Sequence, residues 1–167
     1  MPWHKIASQG DADALVRQCQ GFHDGCFREA HVWTETSIEQ GAMTCPGHLD
    51  THVRTLFQLG AAEPSAIELR FDEVTYLHLL PSWDNCDSII WRATLSQDEG
   101  VFHLRVYLIG LPLTGPPNAG IAKQPRDDDT PDMHIVARQV SWRDASEWMG
   151  AGLRYGPEDR GDNDGAM

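Results

Sequence analysis

In several stretches between Leu49 and Leu108 apolar side chains return at every second position, a period that commits those stretches to strands with two unlike faces. Leu49, Val53 and Phe57 point one way while Asp50, His52 and Arg54 point the other. Ile67, Leu69 and Phe71 alternate with Glu68 and Arg70, and a turn at Asp72–Glu73 leads to Leu77 and Leu79. A hairpin is predicted where Ile89, Trp91, Ala93 and Leu95 face Phe102, Leu104, Val106 and Leu108 across Gln97-Asp98-Glu99-Gly100. Upstream, Cys26, Ala30 and Val32 share one face of a strand over 26–34, with Phe27, Glu29, His31 and Trp33 on the other. Downstream, Met133–Val140 reads as a last strand.

Helical periodicity occurs once before these strands. Ala12, Leu15, Val16 and Cys19 form a stripe over 11–20, with Asp11 able to cap the start and Gly21 placed to end it. Ser141 followed by Asp144 suggests a short C-terminal helix reaching Met149. Between 110 and 132 stand five of the ten prolines, which cannot donate to a ladder, so a long loop is expected there. Short connections favour antiparallel neighbours. The predicted fold is therefore α+β: a single antiparallel sheet of six to seven strands, the N-terminal helix packed on one face, and a short C-terminal helix. The 167 residues fit one domain over 1–155, followed by a disordered acidic tail over 156–167.

Charge narrows the function classes. Thirteen Lys and Arg against 25 Asp and Glu leave a net charge of −12, which repels phosphate backbones and anionic lipid and attracts a basic protein. Nucleic acid and membrane are therefore not expected as partners. No apolar run of about 18 residues and no signal-like opening is present, so a cytoplasmic protein is expected. The irregularly spaced Cys19, Cys26, Cys45 and Cys86 read as free thiols.

Two constellations bear on chemistry. In Cys45-Pro-Gly-His48-Leu-Asp50-Thr-His52, a strand places His48, Asp50 and His52 on one side, a donor set suited to zinc, iron or manganese, with Cys45 as a further ligand and Glu68 on a neighbouring strand as a base. Against that stands the simpler reading of a solvated outer face that holds no cofactor. The turn Phe22-His23-Asp24-Gly25 offers an imidazole beside a carboxylate, yet reads first as a helix end. Among six tryptophans, Trp91 reads as core, while Trp83, Trp142 and Trp148 are the candidate partner-binding anchors.

The short helix, Phe22-His23-Asp24-Gly25, a strand, and Leu69-x-Phe71-x-x-Val74-x-x-Leu77-x-Leu79 together resemble small uncharacterised bacterial α+β proteins, some of which look like immunity partners of secreted toxins. The resemblance implies no catalytic residue. The leading expectation is a non-enzymatic acidic interaction protein of the bacterial cytoplasm, an inhibitor or immunity-type partner of a basic protein. The alternatives are a metal-dependent enzyme built on the His-Asp-His strand, or a small-ligand-binding domain with an apolar cavity inside a curved sheet.

Overall fold

The computed structural model describes residues 1–60, 63–80, 86–110 and 130–155. In order come β1 (His4–Ile6), α1 (Gln9–Gln18), β2 (Cys26–Thr34), β3 (Ser37–Glu39), β4 (Ala42–Thr44), β5 (Thr51–Gln58), β6 (Ala66–Leu79), β7 (Cys86–Asp98), β8 (Val101–Gly110) and β9 (Met133–Asp144). Single 3-10 turns lie at Gln20–Phe22 and Ser146–Trp148. Seven strands form one antiparallel sheet in the order β1-β9-β6-β5-β2-β7-β8, and β8 then pairs a second time, with β9. That second pairing closes six strands into a barrel. β8 occupies the Met133–Ala137 part of the β9 edge, leaving Val140–Trp142 to β1.

The helix-plus-antiparallel-sheet class and a sheet of seven strands are as expected; the closure of that sheet through the β8–β9 pairing was not foreseen. Register shifts, among them those at Phe27/Glu29, Val74/Tyr76 and Ile90/Arg92, add the local twist that lets long strands curl onto themselves. The turn expected at Asp72–Glu73 does not form: Glu73 adopts φ 54°, but Asp72 and Val74 keep one register with β9, the shift comes at Val74/Tyr76, and β6 is a single strand of 14 residues. The bulge in β7 also turns Ile90, rather than Ile89, into the barrel and leaves Trp91 half-buried against His23, with ring centroids 5.2 Å apart.

Inside the barrel lie Val53 and Phe57 of β5, Ile67, Leu69 and Phe71 of β6, Ala93 and Leu95 of β7, Phe102, Leu104 and Val106 of β8, and Ile135 and Ala137 of β9. Helix α1 adds Ala12, Leu15 and Cys19 to the same cluster. It begins earlier than expected because Ser8, not Asp11, is the cap. Ser8 Oγ accepts from Asp11 N–H at 3.2 Å while Asp11 returns a carboxylate to Ser8 N–H at 2.9 Å. The seam between β2 and β7 is narrow. Ile90 N–H donates to Gly25 O at 2.7 Å and Asp24 N–H to Ile90 O at 3.1 Å. A Cβ on residue 25 would stand 2.9 Å from Phe22 O and 3.0 Å from Gln58 O, so only glycine lets the three backbones meet.

The C-terminal helix expected after Ser141 is not formed. Ser141 to Asp144 pair with Arg70 to Ile67 of β6, and ladder bonds outweigh a weak capping signal. One 3-10 turn follows, its Ser146 N–H and Oγ donating to Asp144 at 2.8 and 2.6 Å. The chain then returns across the outer face of β2, β5 and β6. Glu29 accepts from the backbone N–H of Arg154 and of Tyr155, and Glu68 accepts from Tyr155 Oη and, at 2.5 Å, from Arg143 Nε. Burial, reinforced by the Glu68 carboxylate, pushes the Tyr155 hydroxyl well above its usual range. The polar face that alternation assigns to water is thus partly roofed, and Glu68 has no exposed surface at all. The expected loop over 110–132 falls mostly on 111–129, and the expected tail on 156–167; both lie outside the described residues.

Candidate functional site: an acidic arm and its latch

At the end of the barrel away from α1, the connection between β2 and β5 projects as an arm. Its base extends the barrel ladder by one step, Glu35 N–H donating to Asp50 O at 3.3 Å. Thr36 then holds the Asp50 carboxylate through N–H at 3.3 Å and Oγ1 at 2.6 Å. The Thr36 hydroxyl is the main cause that lowers the Asp50 carboxyl below its ordinary range. Beyond this base β3 and β4 form a two-stranded hairpin with the register Ser37–Thr44, Ile38–Met43 and Glu39–Ala42. Gln40 (φ 50°) and Gly41 (φ 84°) supply the two left-handed residues such a tight turn requires.

Among the described residues the arm has no apolar roof. Ile38 and Met43, directly opposite one another, are 75% and 71% exposed. Three-residue strands with no core of their own are marginal in water. From residue 29 to residue 53 there is no Lys or Arg, and the arm itself carries Glu35, Glu39 and Asp50.

The latch at the base joins the arm to the barrel. His52 on β5 sits beneath the Trp33 indole, with rings 5.2 Å apart and 19° from parallel, and is only 5% exposed. Its Nδ1 lies 2.6 Å from Asp72 Oδ1 on β6, and Arg70 Nε reaches the same oxygen at 2.9 Å. Its Nε2 stands 3.3 Å from Glu35 Oε1, while the other Glu35 oxygen lies 3.6 Å from His48 Nε2. The arrangement strings two imidazoles and two carboxylates in the order His48, Glu35, His52, Asp72. Arg54 stands 5.0 Å and Arg70 6.0 Å from the Trp33 ring centre.

The structure redistributes the candidate residues. His48 and His52 converge, but on Glu35. Asp50, expected to complete their set, faces Thr36 instead. His52 is not on a wet face, because Trp33 covers it. Glu68 is not beside it either: His52 belongs to the Asp72 level of the sheet, whereas Glu68 pairs with Leu56 and is enclosed by Arg143, Arg154 and Tyr155. Cys45 is an exposed free thiol, Cys26 is half-buried and free, and Cys19 is a free thiol whose burial pushes it up to about 12. Trp142 is half-buried against the core and stacks on His4 at 4.9 Å. Trp148 is 36% exposed beneath the Arg154 guanidinium at 4.6 Å. Trp83 lies outside the described residues. Alternation alone missed Glu35, Ile38, Met43 and Asp72. The two-residue turn Gln40-Gly41 was the available signal for the hairpin.

A cavity of about 200 Å³ opens in the barrel wall, lined among the described residues by Phe27, Leu79, Val106, Leu108 and Met133, with Arg28 and Asp132 at its polar side. No helix among the described residues is long and apolar enough to cross a membrane. Comparison with protein-family models, with curated proteins and with solved structures returns no match for this chain.

Proposed function

We propose that the protein is a non-enzymatic acidic interaction protein of the cytoplasm, an inhibitor or immunity-type partner that presents the β3–β4 arm to a basic protein. The observation that carries the reading is the arm itself: an exposed Ile38–Met43 pair on an arm that bears Glu35, Glu39 and Asp50 and no Lys or Arg. Apolar side chains at the centre and like charges around them match the anatomy of an anchor with a steering rim. The net charge of −12 extends the same field over the whole molecule and favours encounter with a positive cleft. The resemblance of its sequence pattern to toxin-immunity partners is in keeping with this reading. The test is capture from native lysate with the wild-type protein and with Ile38→Ser/Met43→Ser as bait. A basic protein retained at about 0.05 M salt, released at about 0.5 M, and held at least about tenfold less well by the double variant is the expected result. Equal retention by the variant, or capture of acidic proteins alone, refutes it.

A second reading has its own support. At about 200 Å³ the cavity is comparable in size to an apolar hollow of roughly 150 Å³ that holds benzene. A small apolar ligand bearing one polar group would fit its walls and its Arg28 and Asp132 side. A thermal-shift series with such ligands should raise Tm in the wild type and not in Val106→Trp, which fills the space; identical shifts in both dismiss this reading.

A further inference from the structure

We propose that Glu35, His48 and His52 bind a divalent first-row metal ion at the base of the arm, with Asp72 as the positioning residue that orients His52. His52 Nε2 is buried and has no hydrogen-bond partner, although a carboxylate oxygen lies 3.3 Å away. That separation is long for an N–H···O bond, whose usual value is about 2.9–3.0 Å. It fits a shared cation well: donors about 2.0–2.1 Å from a tetrahedral zinc stand about 3.3–3.4 Å from one another.

Asp72 Oδ1 at 2.6 Å from Nδ1 fixes the His52 ring so that Nε2 stands on the Glu35 side. A carboxylate behind a ligating imidazole is also the common support of a metal-bound histidine, fixing its ring and raising its basicity. Arg70, bound to the same Asp72 oxygen, holds that carboxylate in place. Among the described residues no three His, Cys, Asp or Glu side chains already stand at metal-holding geometry. His48 is the group that must move. It lies 3.6 Å from Glu35 and is more than half exposed, so its side chain has room to change rotamer toward an ion held there. Two imidazoles and one carboxylate suit zinc, iron and their first-row neighbours rather than calcium or magnesium.

A rival pair lies elsewhere on the barrel. His103 Nδ1 and His134 Nε2 are also 3.3 Å apart, but Arg105 Nη2 approaches that same His103 nitrogen at 3.4 Å and opposes a cation. The metal proposal does not depend on what the arm meets, so metal binding and partner capture fail separately.

The experiment is calorimetric titration of zinc alone into the untagged full-length protein, with nickel as a paramagnetic quencher of Trp33 fluorescence. One ion per chain is expected, with saturable quenching that Trp33→Phe removes. Exposed His48→Ala and Glu35→Gln should each weaken binding at least tenfold, and Asp72→Asn by about 10–100-fold. Asp50→Asn and His134→Ala should bind as the wild type does. Because His48 and Glu35 are surface groups, their variants decide the matter even where a buried His52 variant misfolds. Binding unchanged in His48→Ala, binding lost in His134→Ala, or no zinc uptake tighter than millimolar overturns the proposal.

Discussion

Replacing Glu68 by alanine should remove about 3–5 kcal/mol of folding stability, the range found when one member of a buried ion pair is deleted and its partner stays behind. The carboxylate is wholly enclosed and receives Arg143 Nε at 2.5 Å, Arg154 Nη1 at 3.5 Å and the Tyr155 hydroxyl. Its loss strands two guanidinium groups that are themselves mostly covered. It also removes one of the ties that hold residues 149–155 against the barrel, leaving those made by Glu29 and Arg28. A domain with a total stability of about 5–15 kcal/mol would lose a large share of it. Tyr155→Phe, which leaves both ion pairs in place, should cost about 1.5–3 kcal/mol, the usual value of one hydrogen bond to a charged group. Urea unfolding followed by circular dichroism measures both. Proteolysis within 149–155 should accelerate in Glu68→Ala before global unfolding does. A loss below about 1 kcal/mol in Glu68→Ala, typical of solvent-exposed pairs, would show that the returning segment is held by something other than this clasp.

The same carboxylate marks the limit of what alternation reveals. Period-2 patterning assigns Ile67, Leu69 and Phe71 inward and Glu68 and Arg70 outward, and the structure agrees on both counts. Outward, however, does not mean wet. Whether an outer residue meets water depends on segments far away in sequence: Tyr155 is 87 residues from Glu68, and Trp33 comes from a strand that precedes His52 by a long hairpin. Closure into a barrel is likewise a non-local event. It requires β8 to find β9 and Gly25 to admit Ile90, and neither pairing leaves a trace in local composition.

The candidate site shows the same division. His48 and His52 were legible as potential ligands, because imidazoles at that spacing attract notice. Their actual companion, Glu35, sits 17 residues before His52 and reaches it only because the arm folds back and Glu35 N–H bonds Asp50 O. Asp50 lies nearer in sequence but spends its lone pairs on Thr36. The hairpin was missed for a different reason. Strands of three residues with both faces exposed carry no amphipathic signature, and only Gln40-Gly41 betrays the turn.

Phe57→Ala should cost about 3–5 kcal/mol, as large-to-small changes at fully enclosed aromatic positions do. Phe57 has no exposed surface and stands where three parts of the fold meet. Phe22, from the turn after α1, contacts it edge-on with centroids 5.3 Å apart, and Phe27, just before the β2 bulge, lies 5.7 Å away on the partner strand. Truncation therefore opens a cavity bordered by the helix end, the β2–β7 seam and the barrel interior together. Its walls cannot collapse easily, because Gly25 already meets Phe22 O and Gln58 O at the limit of approach. Phe57→Leu keeps most of the volume and should cost distinctly less. The neighbouring Leu56 provides the internal contrast. It faces outward into a small cluster with Ala66, Ala145 and Tyr155, so Leu56→Ala should loosen the returning C-terminal segment while leaving the barrel interior intact. Denaturant midpoints for the three variants, read together with near-ultraviolet dichroism of the aromatic cluster, separate the two effects. If Phe57→Ala costs no more than Leu56→Ala and leaves the aromatic signal unchanged, the barrel interior is not where this chain keeps its stability.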